Sequence, residues 1–131
     1  MIVLDTHVWV WWVSGSVALP DRVSARLGQA MHDRSIRVSS ISAWEVAQLV
    51  ARGRLELTMN VEDWVARSES LPFLEFVPLD NRTAIRSTQL PGSLHGDAAD
   101  RIIVATARAL GATLITKDDK LRRYPHVETL W

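Results

Sequence analysis

The sequence predicts an α/β fold: a three-layer α/β/α sandwich around a central, mainly parallel sheet of four to five strands. Short apolar runs alternate with helical segments along the chain, which is typical of parallel strands joined by right-handed crossovers. No repeat, low-complexity segment or linker interrupts this alternation. The 131 residues suffice for one domain and are too few for two, so we expect a single domain over 1–131.

The first half of the chain predicts two strands and four helices. Strands are predicted over 2–4 and 36–39, and helices over 6–13, 21–32, 42–52 and 60–71. Gly53 is placed to end the third helix. Asn60 is a favourable N-cap for the fourth, and Glu62 and Asp63 suit its first turn.

The second half predicts three strands and two helices. Strands are predicted over 74–77, 113–116 and 127–130, and helices over 80–89 and 98–110. Asp80 is a natural cap for the first of these helices. The Pro- and Gly-containing segment 90–96 reads as a loop, and Gly111 is placed to stop the second helix.

Composition indicates an ordinary soluble, cytoplasmic protein. Apolar residues make up 47% and charged residues 23% of the chain, and the start lacks the pattern of a signal peptide. The absence of cysteine excludes disulfides and thiolate metal sites. Fifteen basic and fifteen acidic residues cancel, so nucleic-acid binding would need a local patch. Six tryptophans exceed the needs of a small core, and some are expected to meet a partner.

Four acidic residues fall where a predicted strand leads into a helix: Asp5, Glu45, Asp100 and Asp118. The carboxyl ends of parallel strands lie along one edge of a sheet, so these carboxylates should converge. Carboxylates gathered together repel one another unless a cation holds them. Mg²⁺ and Mn²⁺ prefer oxygen ligands, and with no other cofactor motif a divalent ion indicates phosphodiester hydrolysis.

Helix capping is the competing interpretation of two of these acids. Asp5 could simply cap the first helix. Glu45 lies three residues after Ser42, which matches a capping box in which the glutamate reaches back to the cap amide. Ser39 and Ser40 are equally good caps, however, and either would leave Glu45 a turn deeper in the helix.

The acids of the second half have similar alternatives. Asp97 is a natural N-cap one turn before Asp100, so the two share a helix face. For Asp100 the alternative is a favourable contact with the helix dipole. Asp118 and Asp119 could be plain turn residues, and Asp118, nearer the strand end, is the better candidate for the site.

Basic residues near these acids are candidates for phosphate contacts, with solvated surface charge as the alternative. Arg101 could instead pair with Asp97. His95, in the loop before Asp97, is a candidate for touching substrate, whereas His7 is expected to be a packing or surface residue. The candidate cations are Arg101, Lys117, Lys120, Arg122 and Arg123.

Four segments in order resemble the PIN domain, and more narrowly the VapC-type toxins of bacterial toxin–antitoxin pairs. The resemblance covers essentially the whole chain. It is carried by Ile2-Val3-Leu4-Asp5-Thr6-His7, Ser42-Ala43-Trp44-Glu45-Val46-Ala47, the segment 97–107 that begins Asp97-Ala98-Ala99-Asp100, and Leu114-Ile115-Thr116-Lys117-Asp118.

This resemblance implies a Mg²⁺- or Mn²⁺-dependent ribonuclease that hydrolyses RNA. Members usually dimerise and bind a small antitoxin of the VapB type. The resemblance assigns the three main acids to Asp5, Glu45 and Asp100, the fourth to Asp118, an auxiliary role to Asp97, and supporting hydroxyls to Thr6 and Thr116.

Three other readings remain open on the sequence alone. A receiver-like regulatory domain also gathers acids and Mg²⁺ at strand ends, but it needs paired acids after its first strand, where this chain has Asp5 followed by Thr6. A haloacid-dehalogenase phosphatase needs Asp-x-Asp, and His7 occupies the second place. A PIN module that binds RNA or protein without cutting would keep the fold and lack the activity.

Overall fold

A computed structural model describes residues 1–131 and contains one five-stranded sheet with seven helices. The strands are β1 (Ile2–Leu4), β2 (Ile36–Ser39), β3 (Leu74–Val77), β4 (Thr113–Ile115) and β5 (Thr129–Leu130). The helices are α1 (Thr6–Ser14), α2 (Asp21–His32), α3 (Ser40–Ala51), α4 (Val61–Glu69), α5 (Asn81–Ser87), α6 (Ala98–Leu110) and α7 (Asp119–Arg123).

The sheet is parallel throughout, with the order β3-β2-β1-β4-β5. Strand β1 is central: Val3 pairs with Arg37 of β2 on one side and with Leu114 of β4 on the other. The predicted α/β architecture is therefore confirmed, with all five strands present.

Side chains alternate along β1 and feed two separate hydrophobic clusters. Ile2 and Leu4 join a cluster with α1 to α4 on one face, where Trp9 is fully buried. Val3 joins a second cluster on the other face, built mainly from α6 and α7 around residues such as Ile103 and Leu121. Helices on both faces of one sheet give the predicted three layers.

The helix boundaries follow from capping groups. Asn60 accepts the amide of Asp63 at 2.9 Å, and Gly111 adopts a left-handed φ of 61° where α6 ends. The short α7 was not predicted, since five residues give too little periodicity to recognise. None of the seven helices has the length and apolarity that crossing a bilayer requires.

Helix α3 corrects the predicted helix start. It begins at Ser40 instead of residue 42, because Ser39 is the N-cap and accepts the amide of Ile41 at 3.2 Å. Glu45 therefore lies in the second turn and cannot serve as a capping-box partner. Its carboxylate is free for another role.

The strand order also locates a crevice. From β1 the chain moves outward through β2 to β3, then crosses back to place β4 on the opposite side of β1. The carboxyl ends of β1 and β4 flank this topological switch point, where open α/β sheets bind ligands. Asp5 directly follows β1, and Thr116 directly follows β4.

Candidate active site

A cavity of about 530 Å³ opens at the switch point. It brings together all four acids predicted from the strand ends, and Asp97 with them. Its lining consists of Asp5, Glu45, Asp97, Asp100 and Asp118 together with His7, Val8, Trp11, Lys117 and Lys120. Carboxylates that are far apart in sequence thus share one space.

Asp5 is a buried carboxylate in this cavity, only 7% exposed. Its Oδ1 accepts the amide of Thr6 at 2.8 Å, and its Oδ2 accepts the hydroxyl of Thr116 at 2.7 Å. Burial raises the pKa of Asp5, while the hydrogen bonds from Thr116 and Thr6 act in the opposite direction. Asp5 thus caps α1, as the capping interpretation predicts, and its second oxygen is fixed by Thr116; its role in a metal site stays a prediction.

Thr116 connects Asp5 to Asp118. While its hydroxyl donates to Asp5, its oxygen accepts the amide of Asp118 at 3.0 Å. Asp118 in turn caps α7, since its Oδ1 accepts the amide of Lys120 at 2.8 Å. A single buried threonine therefore sets the position of one acid and the backbone of another.

Glu45 is held by a second hydroxyl. Thr6 donates to Oε1 of Glu45 at 2.5 Å, and the hydroxyls of Thr6 and Ser42 are 2.8 Å apart. Ser42 is fully buried, so its hydroxyl depends on this contact for a partner. Burial, followed by the charges of Asp5 and Asp97, raises the pKa of Glu45 against the lowering effect of Thr6. Sequence reasoning considered Ser42 only as a cap and missed its contact with Thr6, the residue that holds Glu45. The available signal was that Ser42 lies three residues before Glu45, because residues three apart share a helix face.

Asp97 and Asp100 lie at the start of α6. Asp97 is the N-cap and accepts the amide of Asp100 at 2.8 Å, as predicted. Burial raises the pKa of Asp100 to about 7, reinforced by the charges of Asp97, Asp5, Asp118 and Glu45. Burial and the charges of these four carboxylates thus all disfavour the ionised form of Asp100.

Gly96 makes room for Asp100. A Cβ placed on Gly96 would lie 2.9 Å from Cβ of Asp100 and 3.3 Å from its Oδ2. Contacts that short require the backbone or the aspartate to move. Glycine at this position therefore permits the observed position of the Asp100 side chain.

The predicted cations divide into two groups. Lys117 and Lys120 line the cavity. Arg101 does not, and the expectation that it contacts substrate or Asp97 is corrected: its Nε donates to the carbonyl of Ser87 at 3.0 Å and its Nη1 to that of Leu94 at 2.7 Å. These bonds direct the guanidinium toward the end of α5 and the loop that joins α5 to α6.

The remaining basic and histidine candidates also lie outside the cavity lining, with one exception. Arg122 sits 3.9 Å from the carboxylate of Asp119, and Arg123 donates to the carbonyl of Asp119 at 3.2 Å. His95 is exposed on the loop before α6 and is not part of the lining. His7, expected to be a packing or surface residue, is exposed and does line the cavity.

The donor set suits a hydrated hard cation. Every acidic group of the cavity offers carboxylate oxygen, the ligand that Mg²⁺ and Mn²⁺ prefer. No three acidic or histidine side chains are arranged to hold an ion directly among themselves. Mg²⁺ is commonly held by one or two carboxylates together with water and substrate phosphate. The positions of these carboxylates suit an ion held in that way, and they do not suit one held by protein ligands alone.

Residues 2–127, which contain the parallel sheet and the acidic cavity at its switch point, match the PIN domain family, to which the chain belongs. It is 37% identical over 134 residues to Ribonuclease VapC22 of Mycobacterium tuberculosis, covering 99% of this chain and 98% of the relative. Family membership excludes the receiver-like and phosphatase readings.

Solved structures share the fold. VapBC2 from Rickettsia felis, bound to a DNA fragment from its promoter, superposes with a TM-score of 0.72 at 23% identity, covering 99% of this chain and 98% of the other. FitAcB from Neisseria gonorrhoeae gives a TM-score of 0.69 at 25% identity, covering 100% and 97% of the two chains.

Proposed function

We propose that this chain is the ribonuclease toxin of a type II toxin–antitoxin pair, an endoribonuclease that hydrolyses RNA phosphodiester bonds and is inhibited by a cognate VapB-type antitoxin. The observation that carries the proposal is the cavity in which Asp5, Glu45, Asp100 and Asp118 converge. Two findings support reading this cavity as a ribonuclease site. The chain is a PIN domain, and it is 37% identical along nearly its whole length to a protein named as a ribonuclease.

The proposed cofactor is Mg²⁺ or Mn²⁺. Asp5, Glu45 and Asp100 would hold the ion, directly or through water, and Asp118 would complete or extend the site. When bound, such an ion lowers the pKa of an attacking water and offsets charge on the phosphoryl group. Burial and, after it, the charges of four acidic neighbours raise the pKa of Asp100, and a bound cation would offset the repulsion among these carboxylates.

The surrounding residues orient the acids and receive the substrate. Thr116 and Thr6 each donate a hydrogen bond that fixes one carboxylate, so Asp5 and Glu45 need little rearrangement to act. Lys117 and Lys120 supply the positive charge in the lining, and we assign them to the RNA phosphates. Asp97 serves mainly as the cap that holds Asp100 in place.

The antitoxin partner is supported by the solved neighbours, whose names include VapBC and toxin–antitoxin complexes. An apolar cleft of about 300 Å³ beside α1 would suit an apolar side chain of such a partner. It is lined by Trp12, Val13, Leu71 and Phe73 together with Arg67 and Ser68. We also propose a homodimer, and the 54% exposed Trp44 is a candidate for either interface.

The test is incubation of total RNA with the purified protein, in Mg²⁺ and in chelator. We expect cleavage only with the metal and none from a folded Asp5→Asn variant, whose amide can still accept the Thr6 amide but carries no charge. Glu69→Gln, which removes an exposed acid on α4, is the matched control and should cleave normally.

Cleavage that survives in chelator or in folded Asp5→Asn protein would contradict the proposal. RNA that stays intact in every sample, while still binding the protein, would favour the non-cleaving PIN module instead. Co-expression with the product of the neighbouring upstream reading frame should suppress cleavage, and light scattering on the purified chain measures whether it is a dimer.

A further inference from the structure

Trp11 lines the acidic cavity but takes no part in either hydrophobic cluster. Its neighbour Trp9 on the same helix is fully buried in the first cluster, and Trp12 packs against that cluster. Trp11 is only partly buried. A large aromatic ring that the core does not use is thus placed beside five carboxylates.

Trp11 contacts two further aromatic side chains, His7 and Trp131. The ring of Trp11 lies 5.8 Å from that of His7 and 5.9 Å from that of Trp131, both in tilted arrangements. Nζ of Lys117 lies 5.8 Å from the centre of the Trp11 ring, within the range of a cation–π contact. His7, Trp11 and Lys117 all line the cavity.

This combination differs from what a metal site alone requires. An indole is no ligand for a hard cation, which takes oxygen donors. Anchoring α1 to the end of the chain would explain the contact between Trp11 and Trp131. It would not explain why Trp11, His7 and a lysine line the same cavity as the acids. A flat apolar surface beside a positive charge matches the two halves of a nucleotide, its base and its phosphate.

Resting on the proposed function, we propose that Trp11, flanked by His7, stacks on the base of an unpaired nucleotide next to the scissile phosphate, while Lys117 contacts the adjoining phosphate. A base held inside a duplex has no free face to offer, so the stacked base must be unpaired.

The experiment measures binding separately from cleavage. A fluorescein-labelled hexaadenylate with cleavage-resistant phosphorothioate linkages is titrated with protein in Mg²⁺ and followed by anisotropy, and linear inorganic polyphosphate is used as a competitor without bases. Trp11→Leu should weaken hexaadenylate binding about 5- to 150-fold, the range for loss of one stacked base. Its affinity for polyphosphate should stay unchanged, and Trp11→Phe should lose less than Trp11→Leu.

Ile85→Ala is the control, because Ile85 is 57% exposed and lies outside the cavity lining. It should bind both probes like the unmodified chain. Circular dichroism shows whether each variant is folded, and Trp11→Phe keeps the test decisive if Trp11→Leu is not. Equal weakening of both probes, or no weakening of hexaadenylate, would overturn the proposal.

The total-RNA assay separates this inference from the proposed function. Base-dependent binding through Trp11 without any metal-dependent cleavage would support the stacking site and contradict the ribonuclease. Metal-dependent cleavage with hexaadenylate affinity unaltered in Trp11→Leu would support the ribonuclease and overturn the stacking site.

Discussion

The hydroxyl of Thr116 donates a 2.7 Å hydrogen bond to Oδ2 of Asp5, joining positions 111 residues apart. Both groups are buried, and they directly follow the two strands, β1 and β4, that flank the switch point of the sheet. Because the oxygen of Thr116 also accepts the amide of Asp118, the threonine fixes the geometry of two acids at once. Rigid support of this kind is what a metal-binding carboxylate requires.

Thr116→Val should therefore lower RNA cleavage while preserving the fold. Valine has a similar shape but offers no donor to Asp5 and no acceptor to the amide of Asp118. Loss of such a supporting bond typically costs about 10- to 100-fold in activity or metal affinity. Thr116→Ser keeps the hydroxyl and should retain most of the activity. The measurement is the cleavage rate as a function of Mg²⁺ concentration, and equal curves for Val and Ser variants would contradict the assigned role.

Gly96→Ala should impair the site through Asp100. The added Cβ would come within 2.9 Å of Cβ of Asp100, so the aspartate or its backbone must move. We expect reduced cleavage and a higher Mg²⁺ requirement. Gly28→Ala is the matched control: it lies in α2 with nothing within 4 Å of the new Cβ, and replacing a mid-helix glycine should stabilise the fold by roughly 0.5–1 kcal/mol. Similar activity in the two variants would argue against the steric explanation.

Arg101→Met should lower stability and leave RNA binding intact. The half-buried guanidinium donates to the carbonyls of Ser87 and Leu94, and losing its contacts should cost about 1–3 kcal/mol in the free energy of unfolding. Lys117→Met should leave stability nearly unchanged and weaken RNA binding. An exposed lysine in the cavity lining contributes little to folding, and in our proposal it contacts phosphate.

Urea denaturation and the KM for an RNA oligonucleotide distinguish these two effects. Should Arg101→Met raise KM as Lys117→Met does, with no change in the urea midpoint, then the original expectation that Arg101 contacts substrate would regain support.

The sequence predicted the sheet and the convergence of the acids for the same reason. Apolar runs such as Ile2–Leu4 are local signals, and once strands are parallel their carboxyl ends must lie together. Placing Asp5, Glu45, Asp100 and Asp118 at those ends therefore needed no knowledge of side-chain positions. Their roles in metal binding and catalysis stay predictions, which the cleavage assays test.

The details that escaped prediction depend on side-chain direction. Arg101 follows the acids in sequence, but its guanidinium turns to carbonyls 7 and 14 residues earlier, which periodicity does not reveal. Six tryptophans in the sequence indicated a partner surface without saying which of them lies in the cavity, and Trp11 is placed there with contacts to Lys117 and Trp131. Its spacing of four from His7 was the one available signal, since such residues share a helix face.

Asp100→Asn should make the metal-free protein less sensitive to rising pH. The pKa of Asp100 is raised from 3.8 to about 7, so between these values the folded chain binds more protons than the unfolded chain. Stability must then fall as pH rises through that window, and the loss is complete above the folded pKa. Asparagine cannot ionise and removes this contribution.

We therefore expect Asp100→Asn to show a smaller fall in the urea midpoint between about pH 5 and about pH 8, measured in chelator. Glu69→Gln, which removes an exposed acid, is the control and should follow the unmodified chain. Added Mg²⁺ should restore stability to the unmodified chain at the higher pH and do less for Asp100→Asn, because the ion offsets the repulsion among the carboxylates. Identical pH dependence of Asp100→Asn and the unmodified chain would show that Asp100 is not the group whose ionisation opposes folding.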